Sequence, residues 1–236
     1  MSNIYKRVLI KISGEALAAD NKTGYDFNFV LRVCSAIKSA ADSGVQFGIV
    51  IGGGNFWRGV KDGAGHIERV SADRMGMLAT AMNCLAVADV FKQLGADARV
   101  MTAVDIQGVG ERYDTKKAIE HLENGRIVIF GCGTGMPFFS TDTAAALRAA
   151  EIGADAILLA KNIDGVYSAD PRKDSSAVKF DEISYDEVLS RHLAVMDSTA
   201  TSLAMDNNIP LIVFALADPD NIGRVLAGEK LGTKVI

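Results

Sequence analysis

Short apolar runs rich in β-branched residues alternate along the chain with longer segments whose apolar residues recur at helical spacing. The short runs predict buried strands, over residues 8–12, 45–51, 98–101, 126–130, 156–160, 211–214 and 233–236, with a further short strand in 177–183. The helical spacing predicts helices, over residues 27–41, 73–94, 116–122, 142–152, 185–189, 196–207 and 222–227. Asp73 is the expected N-cap of the longest helix, and Gly95 is its expected stop.

This alternation predicts the α/β fold class, as a three-layer αβα sandwich with a mainly parallel central sheet. The chain shows no linker, low-complexity stretch or internal repeat, so we expect a single domain over residues 1–236. In open sheets of this type, ligands bind outside the carboxyl ends of the strands. The candidate site residues are therefore those that directly follow a predicted strand.

Composition and charge exclude several classes of protein. The 236 residues are 49% hydrophobic and carry a net charge of -4, which excludes a disordered chain and disfavours a dedicated nucleic-acid binder. The three cysteines, Cys34, Cys84 and Cys132, lack the spacing of a metal site, so reduced thiols are expected. No apolar run reaches the roughly 18 residues of a membrane helix, and we expect a cytoplasmic protein without membrane or nucleic-acid partners.

Glycine, with 23 residues against only 4 prolines, is concentrated where predicted strands end. Lys11, Ser13 and Gly14 close the first strand, where a lysine and free backbone amides could cradle a polyphosphate. A lysine that snorkels from a strand end beside a capping Ser-Gly turn explains the same residues equally well.

A run of three glycines, residues 52–54, follows the second strand, and Arg58 lies four residues beyond it. A backbone without Cβ atoms lets amides face an anion, and a guanidinium can add a bidentate contact. Because a plain flexible turn seldom needs three glycines after a buried strand, an anion site is the favoured interpretation.

Residues 131–142 combine a glycine-rich loop, hydroxyl groups and two aromatic side chains with Asp142 at a predicted helix start. Threonine and backbone groups can contact the edge of a base, and the hydroxyls can support a nucleotide. Asp142 could orient Lys11 or act near magnesium. An ordinary N-cap is an equally good role for an aspartate at this position.

A fourth candidate segment, residues 161–171, follows the strand at 156–160. Tyr167 could stack on a base and Asp170 could bond ribose or amine groups, whereas the alternative is a long solvated loop around an Asp-Gly turn. The chain contains no GxxxxGKS, GxxxxGKT or GxGxxG string, which disfavours a P-loop kinase and a dinucleotide site.

Together these motifs resemble those of the bacterial uridylate kinase (UMP kinase) family, which has the amino acid kinase fold. Several of the matching strings are long, and they are spread over essentially the whole chain. They cover residues 5–17, 51–55 with Arg58 and Gly59, 73–80, 133–142, 164–167 with Asp170 and Pro171, and 195–197.

The resemblance implies reversible transfer of the γ-phosphoryl group of ATP to UMP, giving UDP and ADP, in pyrimidine nucleotide (CTP and UTP) biosynthesis. It implies catalytic roles for Lys11, Arg58 and Asp142, with Asp142 orienting a lysine or Mg2+. The residues implied for ATP are Lys11, Ile12, Ser13, Gly14, Gly54, Arg58, Lys161, Asn162, Tyr167 and Asp170. Those implied for UMP are Gly53, Asp73, Thr134, Gly135, Met136, Pro137, Phe138, Phe139, Ser140 and Thr141.

The resemblance further implies an allosteric homohexamer that UTP could inhibit by feedback. Two segments depart from the family pattern. Many relatives place Thr-Lys where this chain has Lys161 and Asn162, and residues 19–25 differ from the relatives' glycine-rich loop for GTP activation, so that activation is not carried over.

Two other functions remain open. One is another acyl or amino-acid kinase of this fold, such as an acetylglutamate or carbamate kinase, and the other is a non-catalytic nucleotide-sensing or storage protein. Asp73 and the aromatic-bearing loop 134–141 favour a nucleotide acceptor over the first. The presence of Lys11, Arg58 and Asp142 favours catalysis over the second.

Overall fold

The structure is a computed structural model and describes residues 3–21, 23–58 and 65–236. The strands in this part of the chain are β1 (Arg7–Ile12), β2 (Gln46–Ile51), β3 (Ala98–Thr102), β4 (Glu111–Arg112), β5 (Ile127–Gly131), β6 (Ala156–Lys161), β7 (Val166–Tyr167), β8 (Lys179–Phe180), β9 (Glu182–Ile183), β10 (Leu211–Ala215) and β11 (Thr233–Val235). The helices are α1 (Gly14–Ala18), α2 (Phe27–Asp42), α3 (Arg69–Gln93), α4 (Thr115–Glu123), α5 (Thr141–Ile152), α6 (Tyr185–Ser190), α7 (Ser198–Asp206) and α8 (Asn221–Leu226).

Nine strands form one sheet in the order β4-β3-β5-β2-β1-β6-β10-β11-β9. Neighbouring strands run parallel, except that β10 and β11 pair antiparallel. The strands β7 and β8 pair antiparallel in a separate two-stranded sheet. Helices cover both faces of the large sheet, so the prediction of an α/β fold with a mainly parallel sheet is confirmed.

Two hydrophobic cores lie on opposite faces of the sheet, because successive residues of a strand point to opposite sides. In β1, Val8, Ile10 and Ile12 enter the core under α2, α3 and α8. Leu9 enters the core under α4, α5, α6 and α7. Burial of both faces explains why the central strands appear in the sequence as continuous apolar runs instead of an alternating pattern.

Some predicted positions of helices and strands were wrong. The helix α3 begins at Arg69, so Asp73 lies inside the helix and is not its N-cap. The residues after Ser13, predicted as a turn, form the short helix α1 with Ser13 as its cap. Residues 177–183 contain two strands, β8 and β9, that belong to different sheets. Segments of a few residues, such as α1, β8, β9 and the first turn of α3, are too short for a helical or strand period to be visible in the sequence.

The helix α3 is the one helix among the described residues whose length and apolar composition would allow it to cross a membrane. Half of its most apolar stretch is buried inside the protein, where Ala79, Cys84 and Phe91 contribute to the core side of the helix. A core helix meets the same two criteria, so this finding is only weak support for a membrane segment.

Thr102, at the end of β3, is fully buried, and its hydroxyl has no hydrogen-bond partner among the described residues. An unsatisfied buried polar group costs about 1–3 kcal/mol. We therefore expect Thr102→Val, which keeps the shape of the side chain, to raise the free energy of unfolding by about 1 kcal/mol and the Tm by about 2–4 °C. Thermal denaturation followed by circular dichroism measures this shift.

The matched control is Thr201→Val. Thr201 is also buried, but its hydroxyl donates a 2.9 Å hydrogen bond to the carbonyl oxygen of Asp197. This substitution should lower the Tm, because it removes a satisfied hydrogen bond. If both variants lowered the Tm equally, the Thr102 hydroxyl would not be the unsatisfied group described above.

Candidate functional site

The four candidate segments meet at one edge of the sheet. The strand β1 lies between β2 and β6, with Ile12 opposite both Ile51 and Ala160, and β5 lies on the other side of β2. All four strands are parallel, and the carboxyl ends of parallel strands share an edge. The segments that follow them are therefore neighbours in space although they are far apart in the chain.

Lys11 and Asp142 form an ion pair at this edge. Lys11 Nζ lies 2.6 Å from Asp142 Oδ1, and the two side chains are only 13% and 20% exposed. The N-cap of α5 is Ser140, whose Oγ accepts hydrogen bonds from the backbone amides of Asp142 and Thr143. The N-cap alternative for Asp142 is therefore wrong, and its carboxylate is available to hold the Lys11 ammonium.

Lys161, the last residue of β6, adds a second ammonium to this region. Its Nζ donates a hydrogen bond to the carbonyl oxygen of Val195. Burial lowers the pKa of Lys161, the Asp142 carboxylate opposes this shift, and the Lys11 charge lowers the pKa further. Two lysines and one carboxylate thus influence one another electrostatically, an arrangement suited to a polyanionic ligand.

Two cavities lie next to the ion pair, because Lys11 lines one of them and Thr141, the chain neighbour of Asp142, lines the other. Several residues expected to bind ATP line a cavity of about 740 Å³, and they are Lys11, Ser13, Lys161, Asn162, Tyr167 and Asp170. Several residues expected to bind UMP line a cavity of about 160 Å³, and they are Gly53, Asp73, Thr134, Met136, Phe139, Ser140 and Thr141. Each cavity therefore gathers residues that the family resemblance assigns to one nucleotide.

Other predicted nucleotide-binding residues line neither cavity, namely Ile12, Gly14, Gly54, Arg58, Gly135, Pro137 and Phe138. Ile12 is 1% exposed, and its carbonyl oxygen accepts a 2.9 Å hydrogen bond from the amide of Gly52. Its side chain belongs to the core, so only its backbone could contribute to a binding site.

Gly14 brings the loops after β1 and β2 into contact backbone to backbone. A Cβ atom on Gly14 would lie 2.5 Å from the carbonyl oxygen of Gly52 and 2.7 Å from the amide nitrogen of Gly54. Real side chains do not approach a backbone that closely, so this position requires glycine. Gly53 is also tight, because its Cβ would lie 2.9 Å from the carbonyl oxygen of Gly76 in α3.

Arg58 is tied to both of these loops. Its Nη2 lies 2.6 Å from Glu15 Oε1 in α1, and its Nε donates a long hydrogen bond of 3.5 Å to the carbonyl oxygen of Gly54. The side chains of Arg58 and Glu15 are 43% and 50% exposed, so the guanidinium can reach a ligand from the solvent side. Gly59, which belongs to the matching motif, lies outside the described residues.

Asp73 connects α3 with the loop 134–141. Its Oδ2 accepts a 2.8 Å hydrogen bond from the amide of Phe138, and its two oxygens accept from Arg69 Nε at 2.9 and 2.8 Å. The Arg69 guanidinium lies 5.1 Å from the centroid of the Phe138 ring. Phe138 has a φ of +70°, which is unfavourable for a residue with a side chain, so these contacts hold a strained loop in place.

Two further side chains organise this region and were not predicted as site residues. Asp197, the N-cap of α7, accepts hydrogen bonds from the hydroxyls of Ser140 and Thr143. Thr80 Oγ1 accepts a 2.8 Å hydrogen bond from the amide of Cys132. Both residues lie in strings that match the family pattern, residues 195–197 and 73–80, but no local pattern shows which distant groups they contact, so neither partner could be predicted.

The described residues offer few ligands for a metal ion at this site. The residues that the structure describes contain no group of three or more His, Cys, Asp or Glu side chains that could hold a metal. Mg2+ is usually held by one or two carboxylates together with the phosphates of a bound nucleotide. Asp142 supplies one carboxylate, which fits a metal that arrives bound to a nucleotide.

Known proteins of one family resemble this chain over nearly its whole length. The model of the amino acid kinase family matches residues 6–215. The chain is 55% identical over 232 residues to a uridylate kinase from Streptococcus thermophilus (strain ATCC BAA-491 / LMD-9), covering 98% of this chain and 95% of the relative. It superimposes on the UMP kinase of Bacillus anthracis with a TM-score of 0.94 at 40% identity, over 98% and 96% of the two chains. For the UMP kinase of Ureaplasma parvum, the TM-score is 0.92 at 35% identity, over 98% of each chain.

The contact at Gly14 can be tested by adding one methyl group. In Gly14→Ala the new Cβ would push the loop after β1 away from Gly52 and Gly54. We expect the affinity for ATP, measured by isothermal titration calorimetry, to fall about tenfold or more, because a displaced loop would no longer offer its backbone amides to the phosphates and a hydrogen bond to a charged group contributes about 1.5–3 kcal/mol.

Gly223→Ala is the matched control. Gly223 lies in α8, where a Cβ would meet no atom within 4 Å. This substitution should leave the affinity for ATP unchanged and stabilise the helix slightly. Equal ATP affinity in the two variants would contradict a role of the tight contact at Gly14 in ATP binding.

Proposed function

Because the chain belongs to the uridylate kinases of the amino acid kinase family, we propose that it is an ATP:UMP phosphotransferase. It transfers the γ-phosphoryl group of ATP reversibly to UMP, giving UDP and ADP. The observation that carries this proposal is the ion pair of Lys11 and Asp142, beside the two cavities. We call the 740 Å³ cavity the donor cavity and the 160 Å³ cavity the acceptor cavity.

In the donor cavity, ATP would be held mainly through its phosphates. Lys11 provides an ammonium group, and Ser13 and Gly14 provide backbone amides at the N-terminal end of α1, where an anion is favoured. Gly54 and Arg58 would contact the transferring phosphates from the loop after β2. The remaining part of the cavity would take the nucleoside, and it is lined by Lys161, Asn162, Tyr167 and Asp170.

In the acceptor cavity, UMP would lie between α3 and the loop 134–141. Asp73 would accept hydrogen bonds from the ribose hydroxyls, Gly53 would allow close approach to the nucleotide, and the loop would form the wall for uridine and phosphate. Since the Asp73 carboxylate already accepts from Arg69 and Phe138, the ribose must share it with these two groups. UMP binding is thereby linked to the position of the loop.

Phosphoryl transfer depends on alignment and charge stabilisation more than on covalent chemistry by the protein. Lys11, oriented by Asp142, would stabilise the negative charge on the transferring group, and Arg58 would do so from the facing loop. The attacking atom is a phosphate oxygen of UMP, which is largely ionised at pH 7 because its second pKa is about 6. The reaction therefore requires no general base.

We also propose that ATP binds together with Mg2+, with Asp142 as the nearby carboxylate. When bound, the metal would be held by the Asp142 carboxylate together with the nucleotide, and it would neutralise part of the negative charge of the phosphates. The absence of a three-ligand cluster among the described residues agrees with a metal held mainly by the nucleotide.

The proposal also covers the domain, the cellular location and the assembly of the protein. Residues 1–236 would act as one catalytic domain, in the cytoplasm and in pyrimidine nucleotide biosynthesis, as a homohexamer under feedback inhibition by UTP. Self-association is supported by exposed apolar residues on α3, namely Met75, Leu78, Met82 and Leu85, which are 38–52% exposed. Their spacing places them on one face of the helix, and an exposed apolar face of this kind is typical of a protein interface.

The choice of acceptor is tested by measuring ADP release with UMP, CMP, acetylglutamate or carbamate. We expect the kcat/KM for UMP to exceed that for acetylglutamate and carbamate by about 100-fold or more, because Asp73 and the loop 134–141 form a site for a nucleotide. Turnover of acetylglutamate or carbamate without turnover of UMP would overturn the proposed function.

The role of Lys11 is tested by Lys11→Ala. We expect kcat to fall about 100-fold to 1,000-fold, since the loss of one donor that stabilises transition-state charge has this effect. Lys38→Ala is the control, because Lys38 forms a comparable 2.6 Å ion pair with Asp42 on the surface, and it should keep full activity. A folded Lys11→Ala enzyme with normal turnover would refute the role given to Lys11.

A further inference from the structure

Two asparagines are buried behind the loop after β2, outside the set of residues expected to touch a nucleotide. Asn55 is 1% exposed and Asn83, in α3, is 0% exposed. Burial of an amide is costly unless its polar atoms are hydrogen-bonded. The partners of these two side chains therefore show what the amides are used for.

The two amides bind each other in both directions. Asn83 Nδ2 donates to Asn55 Oδ1 at 2.8 Å, and Asn55 Nδ2 donates to Asn83 Oδ1 at 3.1 Å. Each nitrogen also donates to a backbone carbonyl, Asn83 to Gly52 at 2.7 Å and Asn55 to Gly24 at 2.9 Å. All four amide hydrogens are thus used, which leaves the pair with a single well-defined arrangement.

This pair lies directly against the contact between the two phosphate-facing loops. Asn55 Oδ1 is 2.5 Å from the position of a Cβ on Gly14, so the amide fills the space beside the glycine. Gly52 is held from two sides, because its amide donates to the carbonyl of Ile12 and its carbonyl accepts from Asn83. The loop is therefore attached to β1 through one group and to α3 through the other.

We propose that Asn83 is a positioning residue for phosphoryl transfer, which acts through Gly52 and Asn55. By fixing the carbonyl of Gly52, it sets the position of Gly53 and Gly54 relative to Lys11, although it touches no nucleotide itself. This inference rests on the proposed function, in which Gly53 approaches UMP and Gly54 contacts the transferring phosphates. A displacement of about 1 Å at such a position can lower the rate about 100-fold.

A purely structural role predicts a different result. If the pair only filled the core, its loss would lower stability, and the fraction of molecules that stay folded would turn over normally. If Asn83 positions the loop, the folded variant should bind both nucleotides nearly as well as the wild type and transfer the phosphoryl group slowly. Comparison of kcat with KM in folded protein distinguishes the two roles.

The experiment compares Asn83→Asp with Asn55→Asp in the full-length chain. Each substitution keeps the side-chain shape and removes two donated hydrogen bonds, but only Asn83→Asp loses the bond to Gly52. We expect kcat for Asn83→Asp to fall about 10-fold to 100-fold, with KM for ATP and UMP changed less than about threefold. We expect a smaller fall in kcat for Asn55→Asp. Val225→Ala controls for lost stability, because Val225 is buried in α8, a helix that packs on α2 and β10.

If Asn83→Asp does not fold, Asn83→Ser serves in its place, since it removes the bond to Gly52 without adding a carboxylate. Normal kcat in a folded Asn83 variant would overturn the proposal, as would a loss of kcat no larger than that of Val225→Ala at equal Tm. The proposed function fails separately, because wild-type protein would then show no turnover of UMP in the same assay.

Discussion

The ion pair of Lys11 and Asp142 determines where the charges of the site lie. It joins the end of β1 to the first turn of α5, over 2.6 Å and with both side chains mostly buried. A buried charge loses part of its hydration, and a close partner of opposite sign offsets that loss. The long and flexible lysine side chain is thereby held by two rigid elements, so its ammonium is in position before any ligand binds.

One face of the helix α3 holds two loops in place, the loop after β2 and the loop after β5. Asp73 accepts from the amide of Phe138, Thr80 accepts from the amide of Cys132, and Asn83 donates to Gly52. At about 100° per residue, these positions lie on one side of the helix, and the exposed apolar residues of α3 lie on nearly the opposite side. A contact made on the outer face would therefore act on the same helix that aligns the loops.

The sequence predicted which segments meet at the candidate site better than it predicted the contacts among them. A buried strand that ends in glycine is visible locally, so the segments after β1, β2, β5 and β6 could be identified from the chain alone. A local sequence pattern does not show which distant residues pair with each other. Asp142 therefore fitted the pattern of an N-cap equally well, whereas the structure shows that Ser140 caps α5. The same limit applies to Thr80 and Asn83, whose partners lie 52 and 31 residues away in the chain.

The contact at Gly14 also bears on how such a site can change over evolution. The loops after β1 and β2 touch through backbone atoms. A change in the position of one loop therefore requires a change in the position of the other, whichever side chains the loops carry. The loop 134–141 is different, because it is attached to α3 through the side chains of Asp73 and Arg69. A change in the side chains that hold it would therefore reshape the loop 134–141 alone, whereas the loops after β1 and β2 can move only together.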